Sequence, residues 1–80
     1  MINECVVVKF HDREKYAVSV SGGSKQECIK DAAYCRGLYH DTPYIHFGVY
    51  PAWEYDAAVD TERRGGNDVY TQLSLPTNHK

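Results

Sequence analysis

Cysteine and histidine side chains are the residues of this sequence that could bind a metal ion. Cys28 and Cys35 lie in a segment of helical spacing, and His40 and His46 follow it. Two helical turns separate the two thiols by roughly 10 Å along the axis, so they cannot both reach one ion. The C-x2-C and H-x3-H spacings usual in zinc sites are missing. We predict no metal and no cofactor, and interpret the cysteines as small buried hydrophobes.

A cysteine nucleophile would be the simplest catalytic group to build from these residues. The thiol of Cys5 or Cys35 could pair with His40 or His46, but it would need an activated thiolate and an oxyanion site. The helical pattern instead turns both helix cysteines toward a sheet. The sequence also lacks a nucleophile elbow, a phosphate loop and H-E-x-x-H. We predict that the protein is not an enzyme, and a cysteine-dependent enzyme is the least favoured alternative.

Tyrosine is unusually frequent, with seven residues in a chain of 80. A small core cannot enclose seven phenols, because each buried hydroxyl needs a partner. Tyrosine is also enriched where proteins bind one another. Alternation along residues 43–50 places Tyr44, His46 and Tyr50 on one strand face, which we expect to be open. The same rings could stack on a single-stranded nucleic acid, although such platforms normally accompany a basic groove and the net charge here is −2.

Charged residues of the second half offer further contacts. Glu54 and Asp56 could dock against a basic groove, or they could be the solvated face of an edge strand. Arg63 and Arg64 precede two glycines, and this loop could enter an acidic cleft, contact phosphates or remain solvated. The predicted partner-binding residues are Tyr44, His46, Tyr50, Glu54, Asp56, Arg63 and Arg64.

The elements that must position these residues begin with a β-hairpin. Residues 4–10 and 16–20 are rich in β-branched residues and alternate in polarity, which predicts two strands joined by a polar turn. Ser24 and Glu27 form an S-x-x-E capping box, which predicts a helix over residues 24–36. Gly37 is well placed to end that helix in a left-handed conformation.

The rest of the sequence is interpreted as strands. Residues 43–50 predict a third strand, and residues 53–60 and 69–75 alternate with period two, although a helix over 53–60 stays open. The fold class is therefore α+β, an antiparallel sheet with one helix on one face and the order β-β-α-β-β-β. The predicted core consists of Cys28, Ile29, Ala32, Val6 or Val7, Val18, Ile45, Phe47, Val49 and Leu73.

Length and composition limit the function classes. Eighty residues make one domain, spanning residues 1–80 with a frayed tail at 77–80. Three cysteines are an odd set, and no run approaches the ~20 apolar residues of a membrane span. We expect a reduced cytoplasmic protein, a monomer or homodimer, that binds no membrane. Direct binding of nucleic acid is disfavoured by the lack of a basic stripe.

A small acidic chain with a β-β-α-β core, many tyrosines and no catalytic motif resembles the phage-encoded inhibitors called anti-CRISPR proteins. The resemblance lies in size, topology and composition over the whole chain, and it carries over no functional residue. It implies a non-enzymatic protein of a phage or mobile element that acts in a bacterial host. The implied partner is a CRISPR effector, a large ribonucleoprotein, whose nucleic-acid recognition the protein blocks.

Overall fold

A three-stranded antiparallel sheet forms the centre of the protein, in a computed structural model that describes residues 3–74. Its elements are β1 (Cys5–His11), β2 (Tyr16–Gly23), α1 (Lys25–Leu38), β3 (Ile45–Pro51), α2 (Ala52–Arg63) and α3 (Val69–Ser74). The strand order is β2-β1-β3. The predicted α+β class is confirmed, but the predicted order is wrong after β3. The tail predicted at 77–80 lies outside the described residues.

The predicted hairpin is confirmed as β1 and β2, which pair antiparallel. His11 lies opposite Tyr16, and residues 12–15 form the connecting loop. Lys15 adopts a φ of 60°, the left-handed conformation that lets the loop close. A bulge interrupts the pairing, because Val7 lies opposite Ser21 while Val8 lies opposite Ser19. Each edge of the central strand β1 is therefore paired, to β2 on one side and β3 on the other.

Alternation along β1 divides the protein into two cores, one on each sheet face. Cys5 and Val7 pack toward α1 together with Phe47, whose predicted burial is confirmed. Val6, Val8 and Phe10 form the second core on the other face. We call these the α1-side core and the α2-side core. The sequence predicted only one helix, α1, to cover a sheet face, and it therefore did not predict the second core.

Helix α1 begins as predicted. The Glu27 amide donates to Ser24 Oγ at 3.2 Å, and the Ser24 amide donates to Glu27 Oε1 at 2.9 Å, which completes the capping box. Cys28 and Ala32 are fully buried against the sheet, as expected. The predicted end at Gly37 is wrong, because the helix runs through Leu38 and the Tyr39 amide bonds to the Cys35 carbonyl.

The predicted core positions are confirmed in part. Ile45 and Val49 pack against the α1-side core, and Leu73 packs against the α2-side core. Ile29 and Val18 were expected to be buried, but both are exposed. Ile29 lies on the flank of α1, and Val18 lies on the outer strand β2, where no further strand of the described chain covers it.

The second helical layer corrects the strands predicted over residues 53–60 and 69–75. Helix α2 buries Ala58 and packs Ala52 and Tyr55 against the α2-side core, which is spacing typical of one helix face. Helix α3 begins after Asp68, whose Oδ1 accepts the Thr71 amide at 2.8 Å. Both helices lie on the sheet face that was expected to be open. None of the helices in residues 3–74 has the length and apolar character needed to cross a bilayer.

Candidate interaction surface at the hairpin end

Aromatic and charged side chains converge where the β1–β2 loop meets the start of β3. The Asp12 amide donates to the Tyr44 carbonyl at 2.8 Å, which ties the loop to the residue before β3. The pairing of His11 with Tyr16 brings two further rings to this end. We call the resulting group the hairpin-end cluster; its members are His11, Asp12, Arg13, Tyr16, Tyr44, His46 and Tyr70.

One half of the cluster is a stack of rings. The His11 ring lies 5.1 Å from the Tyr16 ring at an interplanar angle of 20°, and 5.0 Å from the Tyr44 ring. The Arg13 guanidinium lies 4.3 Å from the centroid of the Tyr44 ring, within cation–π range. Arg13 and Tyr16 are exposed and Tyr44 is half-buried. The rings are thus held by one another while part of each faces solvent.

The other half is a set of hydrogen bonds to one carboxylate. Asp12 Oδ1 accepts the Tyr70 hydroxyl at 2.9 Å and lies 3.1 Å from His46 Nε2. The bond from Tyr70, followed by that from His46, lowers the pKa of Asp12 below its ordinary value of 3.8. The same bond to Asp12 raises the pKa of Tyr70 above its ordinary value. The carboxylate therefore stays ionised and fixes both partners.

The chemistry available to His46 is limited by its position. An Asp–His pair can orient a general base, and a cysteine nucleophile would have to lie beside that base. The described cysteines all belong to the α1-side core, whereas the His46 ring stacks on Phe10 of the α2-side core. A cysteine paired with His46, the least favoured alternative, is therefore not supported by this geometry. Burial, and then the nearby Cys5, raises the pKa of the Cys28 thiol, which opposes a thiolate there.

A small cleft opens beside the cluster, between β2 and the second helical layer. It encloses about 100 Å³, which is small against the roughly 300–1,000 Å³ of ordinary ligand pockets. Its lining residues are Lys15, Tyr16, Ala17, Glu62, Asp68, Val69 and Tyr70. Within residues 3–74, no three histidine, cysteine or acidic side chains converge as metal ligands. The cleft has the size of a single side chain rather than of a cofactor.

Tyr44 and His46 are the two predicted binding residues that lie in the hairpin-end cluster. Tyr50 does not, because its hydroxyl donates to the Leu73 carbonyl of α3 at 3.2 Å and its ring lies 6.0 Å from Phe10. Burial, with a smaller contribution from Glu54, raises the pKa of the Tyr50 phenol. The expectation of an open aromatic row on β3 is wrong at Tyr50, which lies against α3, whereas His46 is exposed and Tyr44 is half-buried.

The four predicted charged residues divide between the two ends of α2. Glu54 and Asp56 lie in its first turns, next to the start of β1, where the Ala52 amide donates to the Glu4 carbonyl. Arg63 and Arg64 lie at the other end. Because Glu62 lines the cleft beside Lys15 and Tyr16, this end of α2 adjoins the hairpin. Arg64 forms an exposed ion pair with Asp60 at 3.0 Å.

Several residues of the cluster were missed by sequence reasoning. His11, Asp12 and Arg13 were interpreted as parts of a polar turn, and Tyr16 and Tyr70 as strand residues. The missed signal was the hairpin register, since a strand ending in His11 and one beginning at Tyr16 place these rings opposite each other. Comparison of the chain with protein-family models, with curated proteins and with solved structures found no match.

Proposed function

We propose that this chain is a non-enzymatic interaction protein that binds a larger protein through the hairpin-end cluster. The observation that carries the proposal is the exposed stack of His11, Tyr16 and Tyr44 with the Arg13 guanidinium over it. Tyrosine and arginine are the residues that most often dominate binding energy. Rings that are already held in place lose little conformational freedom on binding, which favours affinity.

Further contacts adjoin the stack on the same end of the protein. Arg63 and Arg64 lie at the neighbouring end of α2, and the small cleft lies between that end and Tyr16. A partner that covers the stack would therefore also reach the arginines and could place one side chain in the cleft. This arrangement has the anchors, adjoining pocket and charged rim of a protein interface.

The partner that we propose is a CRISPR effector of a bacterial host, in whose cytoplasm the protein would act as a phage or mobile-element inhibitor. The support for this partner is the resemblance in size, acidity and tyrosine content, together with the β-β-α-β beginning of the fold. Stacking on single-stranded nucleic acid has less support, because Tyr50 is covered by α3 and His46 is bonded to Asp12. Blocking would follow from covering the effector's nucleic-acid groove.

A binding experiment with purified effector complexes tests both the proposed interaction surface and the proposed partner. Affinity capture from bacterial lysate selects the complexes, and interferometry then compares the wild type with Tyr44→Ala, Arg13→Ala and Tyr34→Ala. Tyr34 is the matched control, an exposed tyrosine on α1 away from the cluster. We expect Tyr44→Ala and Arg13→Ala each to cost at least about 2 kcal/mol of binding energy, roughly 30-fold in Kd.

The proposed surface and the proposed partner can be rejected separately. Binding to a purified complex of another class would retain the interaction surface and reject the CRISPR partner. Wild-type affinity in both cluster variants, with loss in Tyr34→Ala, would reject the surface and move it to the exposed side of α1 around Lys25, Lys30 and Tyr34. Circular dichroism of each variant must match the wild type, so that a loss of binding reports on the surface and not on the fold.

A further inference from the structure

Strand β2 is an outer strand of the sheet with little of the usual protection against pairing. Its eight residues contain no charged side chain and no proline, and Tyr16, Val18 and Val20 are all exposed. Natural edge strands are normally protected by lysines, prolines or a covering element. Among residues 3–74, no strand lies beside β2 on its outer side. This edge can accept another extended chain.

The opposite edge of the sheet is partly closed by the protein itself. On β3 the Ile45 amide donates to the Thr42 carbonyl at 3.0 Å, and Arg36 Nη2 donates to the Phe47 carbonyl at 3.2 Å. Pro51 at the end of the strand has no amide hydrogen to offer. An added strand would have to break these bonds, so β2 is the edge on which pairing costs least.

The outward hydrogen-bonding groups of β2 follow from the register. Just past the end of β1 the Asp12 amide donates to the Tyr44 carbonyl, and the regular β1–β3 register carries this phase back to Phe10 and Val8, which therefore bond toward β3. In an antiparallel ladder, the residues opposite them on β2 must direct their backbone groups away from β1. Opposite Phe10 and Val8 these residues are Ala17 and Ser19.

We propose that a second copy of this chain pairs along β2, antiparallel, about a two-fold axis at Val18. In this register Ala17 of each copy bonds with Ser19 of the other, which uses the outward groups of both strands. The two Val18 side chains then face each other as a non-hydrogen-bonded pair, roughly 4.5 Å between Cα atoms. A strand without charge meets its own copy without like-charge repulsion, so the edge is complementary to itself.

Exposed residues of α1 enlarge the same contact. Asp31 of α1 accepts a hydrogen bond from Ser21 of β2 at 2.6 Å, so this flank of the helix faces β2. Tyr34 and Leu38 follow Asp31 by three and seven residues, and they share the flank. They are 69% and 62% exposed. Pairing through β2 would bring the two copies of this apolar flank to the same sheet face, on either side of the axis.

Tyr55 competes with the second copy for one hydrogen-bonding group of β2. Its Oη accepts the Ser19 amide at 3.2 Å, and it thereby occupies one of the outward groups that the second copy needs. Dimerisation must replace this bond with a bond to the copy's Ala17 carbonyl. Loss of the Tyr55 hydroxyl should therefore favour the dimer. A dimer that did not use the Ser19 amide would not respond to this change.

Sedimentation velocity from micromolar to millimolar concentration tests the proposal. The wild type should form a dimer whose Kd rises about tenfold or more in Val18→Lys, because two like charges would face each other at the axis. The matched control is Ile29→Lys. Ile29 is 50% exposed against 41% for Val18, and it lies on the opposite flank of α1, seven residues before Arg36, which bonds to β3. The substitution Ile29→Lys should leave the dimer Kd unchanged.

A second pair of variants tests the role of Tyr55. Tyr55→Phe should lower the dimer Kd roughly twofold to tenfold, the worth of one intramolecular hydrogen bond. Tyr50→Phe is its control, since that hydroxyl bonds to α3 and not to the strand edge. A wild type that stays monomeric to millimolar concentration, or a dimer that Val18→Lys leaves intact, would overturn the proposal. Tyr16 belongs to both surfaces, but Val18 and Tyr55 lie outside the hairpin-end cluster, so neither substitution changes Tyr44 or Arg13, the residues on which the proposed function is tested.

Discussion

The rings of Phe10 and His46 lie nearly parallel, with centroids 4.8 Å apart and planes at 3°. Phe10 is buried in the α2-side core, whereas His46 is exposed at the hairpin end. The two residues are paired across β1 and β3. Through this contact the core supports the candidate interaction surface, because the exposed His46 ring packs on the buried Phe10 ring.

Replacing Phe10 by Leu should therefore affect both stability and the cluster. We expect a loss of about 1–3 kcal/mol in the free energy of unfolding, from imperfect repacking and from the lost aromatic contacts. The NMR signals of the His46 ring should also lose the shift that the Phe10 ring current causes. Phe47→Leu is the control in the α1-side core and should leave those signals in place. Unchanged His46 signals in Phe10→Leu would contradict the support role.

Phe47 anchors the α1-side core, where it is 6% exposed and its ring lies 5.4 Å from that of Tyr39. Truncation to Ala should cost about 3–5 kcal/mol, because the cavity is enclosed by sheet and helix. Urea denaturation measures the loss. Val20→Ala on the exposed edge should change stability by less than about 0.5 kcal/mol. A loss below about 1 kcal/mol for Phe47→Ala would show that the face is not a packed core.

The ionised Asp12 should make stability depend on pH in the acid range. Its pKa is lowered in the fold, so its bonds to Tyr70 and His46 stabilise the protein above its ordinary pKa of 3.8. That stabilisation is lost as the pH falls through the lower pKa of the folded state. We expect Asp12→Asn to be less stable than the wild type at pH 7, and the difference to shrink between about pH 4 and pH 2.

The acid titration can be followed by denaturation at each pH. Asp56→Asn is the control, because Asp56 is exposed on α2 and no hydrogen bond in the described chain involves its carboxylate. A difference between the wild type and Asp12→Asn that persists undiminished at pH 2 would mean that the side chain acts by packing and not by charge.

Glu54 and Asp56 lie at the end of α2 remote from the hairpin, so we expect them to act through long-range electrostatic steering and not through contact. The double variant Glu54→Gln with Asp56→Asn should slow association roughly twofold to tenfold and leave dissociation nearly unchanged. The effect should fade at high salt, which screens the charges. A change confined to the dissociation rate would place these carboxylates within the contact itself.

The first half of the fold could be predicted because its signals are local. The Ser24–Glu27 capping box needs only three residues of spacing, and the consecutive β-branched residues of β1 favour a strand. The exposure of Val18 and Ile29 could not be predicted in this way. An apolar side chain shows that burial is favourable, but it does not show whether any element of the chain is long enough to cover it.

The second half was mispredicted because the helical phase was misjudged. A helix starting from Trp53 aligns that residue with Ala57 and Asp60, which is a poor apolar face. The observed α2 buries the face that starts one residue earlier, with Ala52, Tyr55 and Ala58, and leaves Trp53 in solvent. The cluster was only half predicted for a related reason, since its rings meet through strand pairing between segments that are distant in sequence.

The three consecutive valines of β1 have a consequence for errors in folding. Val6 and Val8 serve one core and Val7 the other, so a slip of one residue would still place valines on both faces. The register is decided by the next pair, since a slip would exchange Lys9 with Phe10. It would drive the Lys9 ammonium, which lies over the Tyr39 ring at 5.5 Å, into the apolar layer beneath α3. Lys9 is therefore expected to disfavour a one-residue slip in the pairing of the central strand.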